Sequence, residues 1–148
     1  MVVVLGLDLQ TVIPYRVFPD SFGSHLYWTV MNVQIALPTR NAPRTKRFEA
    51  VIDSGATRCV FHANIAAHLG LDLRAGIREM TGGIGGLEET WLHSIALYIP
   101  GGPVTITAAF KENLPLAGLL GMNGFFDQFN INFDSAAQQC TLERIYHA

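Results

Sequence analysis

The chain has 148 residues, of which 49% are hydrophobic and 15% are charged. A chain of this length can bury about two thirds of its surface, so we expect one domain over residues 1–148 and exclude a disordered protein. The net charge of −2 offers no basic surface for a nucleic-acid partner. The apolar content is high for a small monomer, which favours an oligomer.

No segment is predicted to span a membrane or to direct secretion. The charge-free stretch at 90–110 is divided by a Pro-Gly-Gly-Pro turn at 100–103, so neither half reaches the ~20 residues that a membrane span requires. The apolar N-terminus lacks basic residues and ends at Asp8. We therefore expect a cytoplasmic protein with no membrane partner. Cys59 and Cys140 are too few for a disulfide framework and are expected to be core thiols.

In chain order, the first predicted elements are strands. Residues 26–37 are rich in aromatic and β-branched side chains and predict one long strand that ends before a proline, and residues 46–52 predict a second. The basic, proline-containing stretch at 38–46 predicts an exposed loop between them. Apolar residues at helical spacing in 63–69, followed by Gly70, predict a short helix.

The rest of the chain is predicted to form further strands, at 74–81, 87–99, 104–110, 130–134 and 140–146. The connection at 82–86 contains four glycines and predicts a hairpin tip between the first two of these strands. A second short helix is predicted at 122–129. About eight short strands with one or two short helices make a mostly-β, single-domain fold.

The clearest signal of chemistry is the sequence AVIDSGAT at 50–57. An apolar strand that ends in an acid, a hydroxyl residue and a glycine places Asp53 at the mouth of a tight turn. Alone, Asp-Ser-Gly is typical of an ordinary turn. In this chain the glycine-tipped hairpin follows about thirty residues later, and Leu119-Leu120-Gly121 follows the hairpin.

In this order the three motifs resemble those of the retropepsin-like aspartic proteases, from about residue 48 to residue 145. The sequence MTGGIGG at 80–86 is similar to the flap of the retroviral enzymes. The resemblance implies an acid-protease barrel in which residues 79–89 form the flap. It implies that Asp53 is the catalytic acid, that the Ser54 hydroxyl reaches the opposite loop across a dimer axis, and that Gly55 accepts hydrogen bonds from the substrate backbone.

The resemblance also implies a set of substrate-binding residues in the catalytic loop, the flap and the later strand end: Ala56, Thr57, Val60, Gly82, Gly83, Ile84, Ala117 and Leu119. Ile84 would close over the bound peptide, and its N–H would hold a water against the substrate carbonyls. The side-chain pockets would be apolar, so we expect cleavage between hydrophobic residues.

The chain departs from the retroviral pattern at two positions. The retroviral enzymes have an acidic residue after Asp-x-Gly-Ala and an arginine after the hydrophobic-hydrophobic-Gly motif, where this chain has Thr57 and Met122. Both ends of that internal salt bridge are therefore missing. We expect another brace, in which Thr57 hydrogen-bonds the backbone of its own loop.

The chain is long enough for only one catalytic loop of this kind. The similar sequence Asp134-Ser135-Ala136 does not supply a second one, because it lacks the glycine that the turn needs. A second Asp53 is therefore expected from another copy of the chain, across a two-fold axis. Two carboxylates about 3 Å apart repel by roughly 5 kcal/mol at an effective dielectric near 20, so such a pair shares one proton.

The expected mechanism follows from that shared proton. One Asp53 would act as general base for a water between the pair, while the other would protonate or hydrogen-bond the scissile carbonyl oxygen. The five histidines show no metal-ligand spacing, and we expect no metal or other cofactor.

Two other functions remain open from the sequence. A dimer of the same fold could bind peptides or serve as a scaffold without cutting them, and its peptide binding would survive Asp53→Asn. A small β-barrel that binds a lipid has a similar number of strands, but it gives no reason for an acid at the end of a buried strand. The preferred hypothesis is a homodimeric aspartic endopeptidase that acts on peptides or unfolded proteins.

Overall fold

The structure is a computed structural model that describes residues 3–5, 10–83 and 85–146. The strands are β1 (Val3–Leu5), β2 (Gln10–Pro14), β3 (Arg16–Pro19), β4 (His25–Trp28), β5 (Val30–Ala36), β6 (Phe48–Ile52), β7 (Val60–His62), β8 (Ile77–Gly83), β9 (Gly86–Ile99), β10 (Gly102–Lys111), β11 (Gly118–Leu120), β12 (Phe129–Asp134) and β13 (Gln139–Arg144). One α-helix, α1 (Ala63–His68), and short 3₁₀ turns at Leu73–Ala75 and Phe126–Gln128 complete the described elements. The predicted mostly-β class is confirmed.

The largest sheet closes on itself and forms a barrel. Its strand order is β10-β7-β11-β6-β5-β9-β8, and β9 pairs with β10 as well, so six strands form a ring to which β8 is added. A second sheet has the order β1-β2-β13-β12, and β3 pairs with β4 in a separate hairpin. The ring holds β6 and β11 side by side and parallel, which brings the ends of these two strands together.

The core fills this ring with alternating side chains. In β5, Met31, Val33 and Ile35 are buried while Asn32 between them is exposed, as expected for a strand with one face toward the core. Phe61, Phe110, Ile95, Leu97 and Leu120 fill the same cluster from the other strands. Full burial of each such side chain stabilises the fold by about 1.5–3 kcal/mol, so the barrel is a rigid support for the loops at its rim.

The predicted strand at 26–37 is wrong in one respect, because it is divided at Thr29. Residues before the division pair with β3, and residues after it pair with β6 and β9. The Thr29 carbonyl accepts a hydrogen bond from the Ile52 N–H at 2.9 Å. Aromatic and β-branched composition predicts strand in both halves but does not show that the two halves belong to different sheets.

The helix predicted at 122–129 is also wrong, since the segment contains only the 3₁₀ turn at Phe126–Gln128. Gly124 has a φ of +110°, which a continuous helix does not permit. The predicted helix at 63–69 is confirmed as α1, and Gly70 follows it with a φ of +76°. No helix in the described ranges is both long and apolar enough to cross a membrane.

Candidate active site

Asp53 follows the last residue of β6, where backbone hydrogen bonds fix the start of a tight loop. Its N–H donates to the Leu120 carbonyl at 3.0 Å, and its own carbonyl accepts from the Ala56 N–H at 3.2 Å. The Asp53 side chain is half-buried, and its Oδ1 accepts from the Gly55 N–H at 2.8 Å. A Cβ at Gly55 would lie 3.1 Å from that same oxygen, so glycine lets the N–H approach the acid closely.

The position of Gly121 explains why the chain combines a Leu-Leu-Gly motif with the Asp53 loop. A Cβ at this position would lie 2.3 Å from the Arg58 carbonyl oxygen and 2.6 Å from that of Ala56. The approach allows the Met122 N–H to donate to the Ala56 carbonyl at 2.8 Å. The end of β11 therefore lies directly against the Asp53 loop, and only glycine fits there.

A different brace occupies the place of the missing salt bridge. The Thr57 carbonyl accepts from the Asn123 N–H at 3.0 Å and from the Asn123 side-chain amide at 2.7 Å. The Thr57 carbonyl thus has its partner outside the loop, and a bond from the Thr57 hydroxyl to its own loop backbone, which the sequence led us to consider, is not found among the described residues. Asn123 binds the loop through the backbone carbonyl of Thr57, which is why the type of side chain at position 57 does not reveal the contact.

A cleft of about 560 Å³ opens beside the Asp53 carboxylate. Seven of the predicted site residues line it together: Asp53, Gly55, Ala56, Thr57, Val60, Gly82 and Leu119. The hairpin of β8 and the first part of β9, residues 77–92, forms one side of the cleft, and we call it the flap hairpin. The cleft thus lies between this hairpin and the barrel.

The remaining predicted residues lie around this cleft. Ser54 is exposed in the turn beside Asp53, and Ala117 is half-buried next to β11, where its carbonyl accepts from the His62 N–H at 3.0 Å. Neither is among the described residues that line the cleft. Gly83 pairs with Gly86 at the end of the flap hairpin. Ile84 lies outside the described residues, so its predicted role stays a prediction.

Charged side chains in the cleft were missed by the sequence analysis. Arg58, Glu79, Glu88 and Lys111 line it, together with the apolar residues Ala109 and Leu114. Arg58 binds Glu79 through two hydrogen bonds, from Nε at 3.1 Å and from Nη2 at 3.3 Å. Lys111 forms an ion pair with Glu88. One sequence signal could have revealed these polar residues of the flap hairpin. The two strands carry polar residues at alternate positions, which places them on one face: Glu79, Thr81, Glu88 and Thr90.

Buried hydroxyl groups hold the two flap strands in register beside the cleft. The Thr90 side chain is 1% exposed, and its hydroxyl donates to the Glu79 carbonyl at 2.9 Å. The hydroxyls of Thr81 and Thr90 lie 3.1 Å apart across the hairpin. These contacts fix the backbone from which Glu79 projects.

Cys59 lies directly behind the catalytic loop and is fully buried as a free thiol. Desolvation raises its pKa to about 11, from a usual value of 9.0. The buried thiol of Cys140 likewise has its pKa raised to about 11 by desolvation. Both cysteines are core residues, as predicted, and neither lines the cleft among the described residues.

A closed β-barrel with an Asp-Ser-Gly loop supported by a Leu-Leu-Gly strand end, and with a glycine-tipped hairpin over the cleft, has the architecture of an acid protease. A family model described as aspartyl protease matches residues 42–124, which is more than half of the chain. The chain therefore belongs to the aspartyl protease family. The match includes the Asp53 loop, the flap hairpin and Gly121.

Comparison with solved structures confirms the retropepsin-like fold. A retropepsin-like aspartic protease from Rickettsia conorii is similar with a TM-score of 0.64 and 17% identity, and the match covers 91% of this chain and 90% of that one. EIAV protease in complex with an inhibitor gives a TM-score of 0.49 at 17% identity, covering 70% of this chain and 88% of that chain. The retroviral protease-like domain of Ddi1 from Leishmania major gives 0.49 at 15% identity, covering 80% and 95%. No curated protein sequence matches the chain.

Proposed function

We propose that the protein is an aspartic endopeptidase that works as a homodimer, with Asp53 of each copy forming the catalytic pair. The observation that carries this proposal is the position of the Asp53 carboxylate at a cleft of about 560 Å³, with its Oδ1 held by the Gly55 N–H. The sequence contains one Asp-Ser-Gly loop, so the second acid of the pair would come from a second copy.

The mechanism would use the shared proton of the two acids. The Gly55 N–H fixes the orientation of the Asp53 carboxylate through Oδ1, and both carboxylate oxygens keep acceptor capacity for the bound water and the partner copy. One carboxylate would take a proton from that water as it attacks the peptide carbonyl, and the protonated acid would give its proton to the carbonyl oxygen, which forms a gem-diol. The gem-diol would collapse as the newly protonated acid gives its proton to the leaving nitrogen and the other carboxylate takes back a proton from one diol hydroxyl, so the C–N bond breaks and the pair is again singly protonated.

The apolar part of the cleft supports a preference for hydrophobic residues at the scissile bond. Val60, Ala109 and Leu114 form a small buried cluster, and Leu119 packs against it. All four side chains line the cleft beside Asp53. A hydrophobic substrate side chain in this position would be removed from water, which favours binding by about 25 cal/mol per Å².

An exposed apolar hairpin supports the proposed second copy. The hairpin of β3 and β4 carries the exposed side chains Val17, Leu26, Tyr27 and Trp28, and Phe22 at its tip is 94% exposed. Its last strand leads into Thr29, which bonds the residue before Asp53 at 2.9 Å. This apolar hairpin therefore begins beside the Asp53 loop, and its exposed side chains are a candidate contact for a second copy.

The direct test is digestion of a diverse peptide library across pH 3–8. We expect cleavage by the wild type and a loss of at least about 100-fold in kcat/KM for Asp53→Asn, which removes the acid and leaves an oxygen for the Gly55 bond. Asp134→Asn is the matched control, because Asp134 also accepts a backbone N–H in an Asp-Ser turn, from Ala137 at 3.0 Å, but lies in the terminal hairpin.

Sedimentation velocity supplies the second part of the test. We expect a concentration-dependent dimer that is weakened by Trp28→Ser. A strictly monomeric wild type at high concentration would contradict the shared pair. Peptide binding that persists in Asp53→Asn, without cleavage by the wild type at any pH, would show that the protein is a binding module and not a peptidase.

A further inference from the structure

Each strand of the flap hairpin carries a glutamate that is paired with a cation on the barrel. Glu79 of β8 binds Arg58, five residues after Asp53, and Glu88 of β9 binds Lys111, the last residue of β10. All four side chains line the cleft. The two ion pairs therefore connect the two sides of the cleft, one pair for each strand of the hairpin.

The register of the hairpin places both glutamates on the face toward the cleft. Glu79 lies opposite Thr90, and Thr81 lies opposite Glu88, so these four residues share one face. Arg78 and Glu89 are their sequence neighbours and lie on the other face, where they form an ion pair within the hairpin. The Arg78–Glu89 ion pair does not involve the barrel, so it serves as an internal control.

The two cations sit on rigid parts of the molecule. Arg58 forms a β-bridge with Asn123, and its carbonyl lies against Gly121. Lys111 lies opposite His62 in the pairing of β10 with β7. The glutamates, in contrast, belong to a hairpin whose free end extends beyond the barrel ring. The cations are therefore fixed points, and the carboxylates move with the hairpin.

We propose that Arg58 and Lys111 are positioning residues that hold the flap hairpin over the cleft through Glu79 and Glu88 before a substrate is bound. The Arg58 contact has the two-bond geometry that makes guanidinium–carboxylate pairs directional, and its side chains are 34% and 38% exposed. Two attachments on different strands oppose both lifting and twisting of the hairpin. The substrate-free cleft is consequently already shaped for a peptide, which reduces the ordering that binding requires.

The position of the hairpin can be measured without catalysis, by pulsed EPR on the full-length Asp53→Asn protein. Spin labels would be attached at Leu87→Cys in the flap hairpin and Thr107→Cys on β10, both exposed positions. The native cysteines are buried and resist labelling. Dilution with excess unlabelled protein ensures that both labels of a measured pair lie in one copy.

We expect one main distance, and a longer-distance population that rises about three- to tenfold in Glu79→Gln and Glu88→Gln and further in the double variant. Glu89→Gln breaks the ion pair on the other face and should leave the distance unchanged. The exchanged pair Arg58→Glu with Glu79→Arg should restore the main distance, because the attraction is rebuilt with reversed charges. An unchanged distribution in the double variant, or an equal change in Glu89→Gln, would overturn the proposal.

A kinetic measurement connects this inference to the proposed function, on which it rests. Glu79→Gln and Glu88→Gln should raise KM for a peptide about three- to tenfold with little change in kcat, and the exchanged pair should recover KM. A merely structural loss would lower both stability and kcat. If the label distances respond as expected while no peptide is cut, the peptidase proposal fails and the positioning role stands. If peptides are cut but the distances and KM do not respond, the positioning role fails alone.

Discussion

Replacing Gly121 by alanine tests whether the catalytic loop depends on its contact with the end of β11. A methyl group here would meet the Arg58 carbonyl oxygen at 2.3 Å and the Ala56 carbonyl oxygen at 2.6 Å. Both are backbone atoms, so no side-chain rotation relieves the overlap. The loop must move away from β11, and the Met122–Ala56 hydrogen bond of 2.8 Å must lengthen with it.

The expected cost follows from these two effects. Overpacking in a well-packed region costs about 1–3 kcal/mol, and a disturbed backbone hydrogen bond adds about 1 kcal/mol. A total of about 3 kcal/mol corresponds to a fall in Tm of about 6–12 °C for a chain of this length. Because the loop carries Asp53, kcat/KM should fall even at temperatures where the variant is folded.

Urea unfolding followed by fluorescence, together with peptide digestion below the Tm, measures both effects. Gly85→Ala is the matched control for stability, because a Cβ at Gly85 meets nothing within 4 Å and its φ is not in the left-handed region. A Gly121→Ala protein with the stability and activity of the wild type would refute the reasoning, since the loop would then accommodate a methyl group at position 121 without cost.

Three further predictions concern groups around the site. Because burial raises the pKa of Cys59 to about 11 from 9.0, the unfolded chain loses this proton first, and the contribution of Cys59 to stability should be complete below pH 9 and fall by about 2 kcal/mol as the pH rises to 11. Cys140 should add a similar fall, so urea midpoints at pH 8 and 10.5 should show a flatter but not flat dependence for Cys59→Ala. Asn123→Ala removes the 2.7 Å bond to the Thr57 carbonyl and should lower the free energy of unfolding by about 1 kcal/mol, whereas Asn130→Ala, at another exposed position, should have little effect in the same urea titration. Thr90→Val removes the buried hydroxyl bonded to the Glu79 carbonyl and should cost about 1–3 kcal/mol by thermal unfolding, and an unchanged Tm would show that the bond is not needed.

The sequence was most informative at positions where the backbone geometry favours a single residue type. Gly121 is required by the close approach of two carbonyl oxygens, and Gly55 leaves room for its N–H to bind the Asp53 carboxylate. Each of these contacts favours one residue type at one position and so leaves a readable pattern in the sequence. The order of the acid loop, the hairpin and the Leu-Leu-Gly motif therefore predicted the fold class and seven of the residues that line the cleft.

The sequence was least informative where a contact depends on register between distant strands. Arg58 and Glu79 are 21 residues apart, and their pairing requires the hairpin to lie over the loop. Nothing in the local sequence of Lys111 indicates that it faces Glu88. The division at Thr29 has the same cause, since β4 and β5 both have strand-forming composition but pair with different strands.

The two sides of the cleft are held in place by different kinds of interaction. The Asp53 loop is held by backbone hydrogen bonds and a glycine contact on a barrel that has no free edge at β6 or β11. The flap hairpin continues into the barrel through β9 and is also held, at Glu79 and Glu88, by partly exposed ion pairs that salt weakens. The proposed peptidase would need this difference in stiffness, because it must hold an acid still and admit a long peptide. Raising the NaCl concentration from 0.05 to 0.5 M should therefore change KM while leaving the free energy of unfolding of the barrel nearly constant, and equal sensitivity of both would contradict this division.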